Sequence, residues 1–250
     1  MIIIKTEEEI EKMKLAGKIL VKVHKELRNF IKAGISTMDI DNFCEKIILE
    51  NGAKPEQKGY MGYPFATCTS VNDEICHGFP SDEVILKDGD LVTVDMVVNL
   101  DGWLADSAWS YLVGDVSDDV KRLYDVTKKS LYDAIAIVKP GTRLGEIGEV
   151  IQKTVEKEGF SVVKDFVGHG IGSNMHEDPQ VLHYKTKIKG PRLQKGMVFT
   201  IEPMINMGEY KMKMDSNGWT SRTLDGSISC QFEHTLAVTD DGVEIITEQD

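Results

Sequence analysis

Four carboxylates and one imidazole lie within apolar or glycine-rich segments of the sequence, where charged or bulky polar side chains are unusual. These residues are Asp95, Asp106, His169, Glu202 and Glu233. Neither Lys nor Arg occurs between residues 91 and 114, so a buried charge in that apolar segment needs another partner. Carboxylates with a single histidine suit Co, Mn, Fe(II) or Zn. Because four carboxylates exceed what one such ion usually needs, the set predicts a site for two divalent metal ions.

The two aspartates flank a tight turn. An Asp-Gly dipeptide separates two apolar segments, which is typical of a β-hairpin. If Asn99 pairs with Gly102, Asp95 and Asp106 face each other directly, with Cβ atoms about 4.5–5.5 Å apart. A pairing shifted by two residues still keeps both on one face. Two like charges this close favour a bound cation; the alternative is that one aspartate faces solvent at a strand edge.

The other three candidate ligands come from the second half of the chain. Glu202 follows the apolar segment 197–201, and Glu233 lies in another predicted strand. His169 stands between two glycines, which let a bulky group approach closely. Three further strands or loops are therefore needed to complete the metal site.

An internal repeat relates the two halves of the chain. The matching pairs are residues 32–53 with 139–160, and residues 86–95 with 193–202. Both pairs have the same offset in residue number, since 139 − 32 = 193 − 86. Two matches at one offset, in the same helix-then-strand order, predict two α/β halves related by a pseudo-two-fold axis. Asp95 and Glu202 then occupy equivalent positions.

Periodicity and capping residues predict the elements that carry these residues. Helices are expected from the Thr6 cap to Gly34, from a Ser36 or Thr37 cap to Gly52, from the Ser117 cap through Ile137, and over 144–158. Strands are expected near 66–71, 75–77, 91–100, 103–113, 162–169, 197–207, 228–238 and 243–246, with a loop over 54–64. No linker interrupts the chain, so we expect one domain over 1–250, with halves of roughly 1–115 and 116–250.

Composition limits the classes of function. A net charge of −12 disfavours direct nucleic-acid binding, which needs clustered Lys and Arg. No apolar run approaches the ~20 residues of a membrane span, and the three apolar residues after Met1 are too few for a signal-peptide core. The four cysteines form no CxxC pair, so we expect reduced thiols and a cytoplasmic location.

The other five histidines differ in context. His77 lies in a loop with Gly and Pro nearby, where an active-site role and a surface position are equally supported. His176 follows His169 by seven residues. His183 and His234 are expected to be structural, and His24 to be an ordinary residue of the first helix.

Several ordered motifs resemble those of type I methionine aminopeptidases across nearly the whole chain. They are Val71–Gly78, Phe166–Gly172 followed by His176 and Val181–Tyr184, Thr200–Pro203, and Gln231–Thr235. The resemblance implies the α/β "pita-bread" fold, with an antiparallel sheet backed by helices. It also implies removal of the initiator methionine from nascent polypeptides, favouring small second residues.

The resemblance also implies roles for individual residues. Asp106 and Glu233 would bridge two metal ions, Asp95 would chelate one, and His169 and Glu202 would hold the other. Glu202 would carry the proton between water and the leaving amine. His77 and His176 would contact the substrate. The pocket for the methionine side chain would comprise Tyr60, Tyr63, Cys68, Met175 and Trp219, with Met175 replacing the aromatic residue expected there.

Two rival functions would fit part of the same pattern of residues. An X-Pro aminopeptidase or prolidase uses a similar ligand set but normally carries a separate N-terminal domain, for which the first repeat half leaves no room. A non-catalytic binding protein on the same fold would typically lose ligands, and all five are intact.

The basic stretch 185–195, together with Lys211 and Lys213, is either a solvated loop or a ribosome contact. We expect a monomer that binds no nucleic acid directly and no membrane.

Overall fold

The computed structural model describes residues 1–249 and contains four α-helices and fifteen strands within that range. The helices are α1 Glu7–Phe30, α2 Thr37–Glu50, α3 Asp118–Ile135 and α4 Leu144–Lys157. The strands of the first half are β1 Lys54–Pro55, β2 Cys68–Val71, β3 Glu74–Cys76, β4 Leu91–Leu100 and β5 Trp103–Leu112. Those of the second half are β6 Ser161–Val162, β7 Gly168–Gly170, β8 Glu177–Val181, β9 Val198–Ile201, β10 Met204–Asn206, β11 Met212–Met214, β12 Ser221–Thr223, β13 Ser229–Gln231, β14 His234–Val238 and β15 Val243–Ile245.

The helices begin at the capping residues that the sequence provides. The Thr6 hydroxyl accepts the N–H of Glu9 at 3.2 Å, and the Glu9 carboxylate accepts the N–H of Thr6 at 2.7 Å. This reciprocal capping box satisfies two of the N–H groups that every helix start leaves free. Ser36 caps α2 in the same way with Asp39, which decides between the two candidate caps there.

The hairpin turn sets the register of the two long strands. Leu100 lies opposite Trp103, so only Asp101 and Gly102 form the turn. Both turn residues have positive φ values, 52° and 86°, which is the two-residue geometry that matches the twist of a hairpin. The predicted pairing of Asn99 with Gly102 is therefore wrong by two residues.

The shifted register changes how the two aspartates meet. Asp95 lies opposite Ala108, and Asp106 lies opposite Val97. The two carboxylates are therefore diagonal neighbours rather than a directly facing pair. They still share one face, because a shift of two residues preserves the alternation of side chains.

The sheets are antiparallel and enclose the site between them. β4 pairs with β1, β2 and β5, while a five-stranded sheet has the order β15-β14-β9-β7-β8. The two are joined where Glu233 donates its N–H to the carbonyl of Ala108 at 2.8 Å and the Thr235 hydroxyl donates to the carbonyl of Asp106 at 2.8 Å. Helix α1 packs on β4 and β5, and α3 packs against α4. This is the expected antiparallel sheet backed by helices.

The offset of the sequence repeat recurs in the structure. Lys54 of β1 pairs with Asn99 of β4, and Ser161 of β6 pairs with Asn206 of β10. The residue numbers of the second pair exceed those of the first by the offset of the repeat, since 161 − 54 = 206 − 99. The bounds of α2 and α4 differ by this offset as well, so equivalent segments of sequence form equivalent elements.

The structure differs from the sequence prediction in three kinds of element. The predicted strands 162–169, 197–207 and 228–238 are each interrupted, so Glu233 lies between β13 and β14 rather than within a strand. β8, β11 and β12 were not predicted, because they are short and carry Pro179, Lys213 and Arg222 among few apolar residues. The predicted loop over 54–64 contains β1 and a 3-10 turn. All four cysteines are free and buried, as expected. Among the described residues, no helix is long and apolar enough to span a membrane.

Candidate metal centre and active site

The five predicted ligands come from five segments and line one cavity of about 740 Å³. Asp95 lies in β4, Asp106 in β5 and His169 in β7, while Glu202 follows β9 and Glu233 precedes β14. His169 Nε2 is 3.6 Å from Asp106 Oδ2 and 3.7 Å from Glu202 Oε1. Ligand atoms of Asp106, His169 and Glu233 all lie within 4.8 Å of one another.

Three carboxylate oxygens in this cavity lack any hydrogen-bond partner. They are Asp95 Oδ1, Asp106 Oδ1 and Glu233 Oε1, each shielded from solvent. A buried unpaired carboxylate is costly, and the described residues lining the cavity include neither Lys nor Arg. The residues therefore fit bound cations, which would provide these oxygens with partners.

Burial and mutual repulsion disturb the titration of these groups. Burial, together with the charges of Asp106 and Glu202, raises the pKa of Asp95 and of Glu233 well above the usual range. Burial raises the pKa of Glu202 to about 7, although nearby His169 opposes this. Burial alone would lower the pKa of His169, but the Asp106 and Glu202 carboxylates raise it to about 9. The cluster thus retains protons that a metal ion would displace.

Neighbouring hydrogen bonds orient two of the candidate ligands. His169 Nδ1 is 3.0 Å from the carbonyl oxygen of Gly170, and a carbonyl can only accept, so Nδ1 carries hydrogen and Nε2 points toward the carboxylates. The Thr200 hydroxyl donates to Glu202 Oε1 at 2.7 Å. His183 Nε2 accepts the N–H of Glu202 at 3.2 Å, which gives this buried histidine the structural role expected for it.

The two candidate catalytic histidines lie at the same cavity. His176 is exposed at the rim, where Tyr60 Oη and His176 Nδ1 are 2.9 Å apart. Its ring centroid is 4.4 Å from that of His169. His77 has a positive φ of 56°, an uncommon conformation that often marks functional positions. Burial lowers the pKa of His77 to about 4, so this side chain is neutral at pH 7.

The residues expected around the methionine side chain also line the cavity. Tyr63, Cys68 and Met175 are buried, and the rings of Tyr63 and Trp219 are 5.1 Å apart in an edge-on contact. Tyr60 is more exposed and lies beside His176 at the rim. An apolar wall beside a polar cluster is typical of a small-molecule or side-chain pocket.

Sequence reasoning missed several groups at this site. Phe166 contacts the ring of His77 edge-on, with centroids 5.4 Å apart, and its place in the glycine-rich motif around His169 was the available signal. Lys5 forms a buried ion pair with Glu177, whose Oε1 also accepts the N–H of Asn174 at 3.3 Å. Nothing in the sequence connects two positions so far apart along the chain, so this contact was not predictable.

Antiparallel sheets enclose a buried acidic cluster with neutral histidines at its edge, an arrangement that fits a metal-dependent hydrolase. The chain belongs to metallopeptidase family M24, whose model matches residues 11–240. Membership implies that it is a hydrolase that uses divalent metal.

Similar proteins agree with this assignment over the whole chain. Methionine aminopeptidase 1 of Bacillus subtilis (strain 168) is 48% identical over 247 residues, covering 99% of both proteins. The crystal structure of methionine aminopeptidase from Thermotoga maritima superposes with a TM-score of 0.97 at 44% identity, covering 100% of both chains.

A prolidase shares the fold at greater distance. Prolidase from Pyrococcus furiosus superposes with a TM-score of 0.81 at 24% identity, and the match covers 99% of this chain but 66% of the prolidase. This likeness supports the pita-bread architecture alone. The rival prediction of an X-Pro peptidase is therefore less supported than that of a methionine aminopeptidase.

Proposed function

We propose that the chain removes N-terminal methionine from nascent proteins and peptides by metal-dependent hydrolysis, with a preference for small second residues. The observation that carries this proposal is that the complete ligand set and the predicted substrate pocket line one cavity, in a chain 48% identical to a protein named methionine aminopeptidase. A family relative that had lost catalysis would be expected to lack part of that set.

The metal site of the proposal uses the carboxylates whose oxygens lack partners. Two divalent ions of Co, Mn, Fe(II) or Zn would be held by Asp95, Asp106, His169, Glu202 and Glu233. Such ions, when bound, lower the pKa of water and polarise a carbonyl group. The four carboxylates would then be ionised, because binding releases the protons that burial retains.

The chain's own residues would move the protons and orient the substrate. Glu202 would accept a proton from the attacking water and return it to the leaving amine, a role open to a carboxylate that metal binding has ionised. His176, exposed at the rim, would donate a hydrogen bond to the developing oxyanion. Neutral His77 would hydrogen-bond the nitrogen of the scissile amide.

Selectivity for methionine would come from the apolar wall. Tyr63, Cys68, Met175 and Trp219 enclose a space that suits an unbranched thioether side chain. Met175 is itself flexible and polarizable, so it can replace a flat aromatic wall while keeping the pocket apolar.

The partners of the proposal are nascent-chain N-termini in the cytoplasm. Part of the basic stretch is already neutralised, since Lys185 pairs with Glu149 and Lys195 pairs with Glu7 and Asp240. The ribosome contact and the monomeric state stay predictions. Charge reversal at Lys211 and Lys213 that left ribosome co-sedimentation unchanged would remove the first of these.

The test uses the peptide Met-Ala-Ser and an X-Pro dipeptide. The wild-type protein is expected to release methionine from the first and to leave the second intact, and Glu202→Ala is expected to abolish the release. Glu209→Ala, a change of an exposed glutamate outside the cavity, is the matched control and should keep full activity. Full activity of Glu202→Ala with metal loaded would refute the assignment.

A further inference from the structure

A second cavity of about 700 Å³ lies directly beside the candidate active site. Apolar side chains dominate its walls: Ile2, Leu144, Pro179, Leu182, Ile188 and Pro191. Asp178 and Gln180 of β8 line both cavities. The two cavities are therefore neighbours along this strand.

Strand β8 is placed to guide an extended peptide. It is the outermost strand of the five-stranded sheet, next to β7. Its side chains alternate, with Pro179 and Val181 buried and Asp178 and Gln180 exposed. A sheet edge flanked by an apolar groove is a recurring way to bind an extended polypeptide.

The far wall presents an exposed aliphatic side chain on a fixed backbone. Ile188 is 82% exposed and lies among the apolar side chains of this cavity, and contiguous exposed apolar surface marks binding sites. The surrounding backbone is held by two hydrogen bonds, from Gly145 N–H to the Lys189 carbonyl at 2.8 Å and from Leu144 N–H to the Pro191 carbonyl at 3.0 Å. Because the wall is already ordered, a ligand would lose little free energy in fixing it.

We propose that this second cavity is a distal subsite, which binds an apolar side chain of the substrate several residues after the hydrolysed bond. This rests on the proposed function, which places the free amine end of the substrate in the metal cavity. The remainder must leave over the rim, and the exposed residues His176 and Gln180 mark that rim. Gln180 and Ile188 both line the second cavity, and burial of one aliphatic side chain there corresponds to about a tenfold gain in affinity.

The experiment moves one leucine along a peptide. Met-Ala-Ser is compared with longer peptides that begin with it, continue with serines, and carry a single Leu at each position from the fourth to the eighth. One or two positions are expected to lower KM about tenfold relative to the all-serine peptide, with kcat unchanged. Ile188→Asp should remove this gain while leaving cleavage of Met-Ala-Ser unchanged. Leu49→Asp, a change of a 54% exposed residue on α2, is the matched control.

The outcomes separate the subsite from the proposed function. The subsite is wrong if no position of leucine lowers KM. It is also wrong if the decrease in KM persists in Ile188→Asp, or if Leu49→Asp removes it to the same extent. If the wild-type protein is a dimer and Ile188→Asp is a monomer, a second copy of the chain occupies the groove, and the subsite is again wrong. Failure of the wild type to cleave Met-Ala-Ser contradicts the proposed function alone. In that case NMR of the Ile188 methyl group tests the subsite separately. A resonance shift with the leucine peptide but not with the serine peptide supports the subsite, and the absence of such a shift contradicts it.

Discussion

The hydroxyl of Thr200 donates a hydrogen bond to Glu202 Oε1 over 2.7 Å. The hydroxyl oxygen of Thr200 also accepts the N–H of His169 at 3.0 Å, and its one proton is committed to the carboxylate. Burial raises the pKa of Glu202 to about 7, and the bond from Thr200 works against that rise. The fully buried Thr200 hydroxyl therefore links His169, the candidate imidazole ligand, to Glu202, the candidate proton carrier.

Replacing Thr200 by the isosteric valine should weaken catalysis and stability together. Thr200→Val leaves the N–H of His169 without a partner, at a cost of about 1–3 kcal/mol. It also raises the pKa of Glu202 in the metal-free protein, so metal binding, and the activity that depends on it, should require a higher pH. Thr200→Ser keeps the hydroxyl and should restore most of both. A valine variant with a wild-type pH profile would show that the bond does not act on Glu202.

Neutralising one buried carboxylate should stabilise the metal-free protein. The pKa of Glu233 is raised by burial, so above the unfolded pKa of about 4 the unfolded state loses its proton first. Stability therefore falls as pH rises through this window. Glu233→Gln removes the penalty, and the melting temperature of chelator-treated protein at pH 7.5 should rise by about 3 °C, equivalent to about 1 kcal/mol. Added metal should stabilise the wild type but not the variant, and a lower melting temperature in the metal-free variant would contradict this account.

Metal binding should release protons near neutral pH. Glu202 titrates near pH 7 and His169 near pH 9, and both must lose a proton to bind a metal. Apparent affinity should therefore increase between pH 6 and pH 8. Calorimetry at pH 7 in buffers of different ionisation enthalpy counts the protons. We expect at least one per protein, and fewer in His169→Gln. Identical binding enthalpies in all buffers would mean that no protons are released, and would contradict the claim that the metal-free ligands retain protons.

The buried ion pair between Lys5 and Glu177 should hold the segment that carries His176. Its side chains are only 2% and 4% exposed, so Lys5→Met leaves a buried unpaired carboxylate and costs about 3–5 kcal/mol. Chemical denaturation should detect the loss, and kcat/KM for Met-Ala-Ser should fall with it. The control Lys14→Met breaks more exposed pairs with Glu11 and Glu244 and should cost only about 1 kcal/mol. Equal losses in both variants would contradict the positioning role.

Local chemistry made much of the fold predictable. Thr6, Ser36 and Ser117 each begin a helix as their capping chemistry requires. The repeat also anticipated that Asp95 and Glu202 would share a site, since both follow the same apolar pattern at the offset that relates the two halves. Such signals are local or periodic, which is why sequence alone contains them.

One feature that was missed depends on the exact residues of a turn, and the other on a contact between distant segments. The predicted register of Asp95 and Asp106 was off by two because Leu100 pairs with Trp103, while the Asn99 side chain accepts the N–H of Gly102 in the turn. The ion pair of Lys5 joins the first residues of the chain to β8. Neither feature has a periodic pattern, so tertiary structure was needed to find them.

The most direct test is controlled metal loading of the chelator-treated protein with Mn, Fe(II), Co or Zn, followed by methionine release from Met-Ala-Ser. Release should be absent without metal and should be restored by at least one of these ions, with up to two bound per chain. Asp106→Asn should prevent the restoration, because it removes one of the carboxylates at the centre of the cluster. Full methionine release by metal-free protein, or by metal-treated Asp106→Asn, would contradict the account.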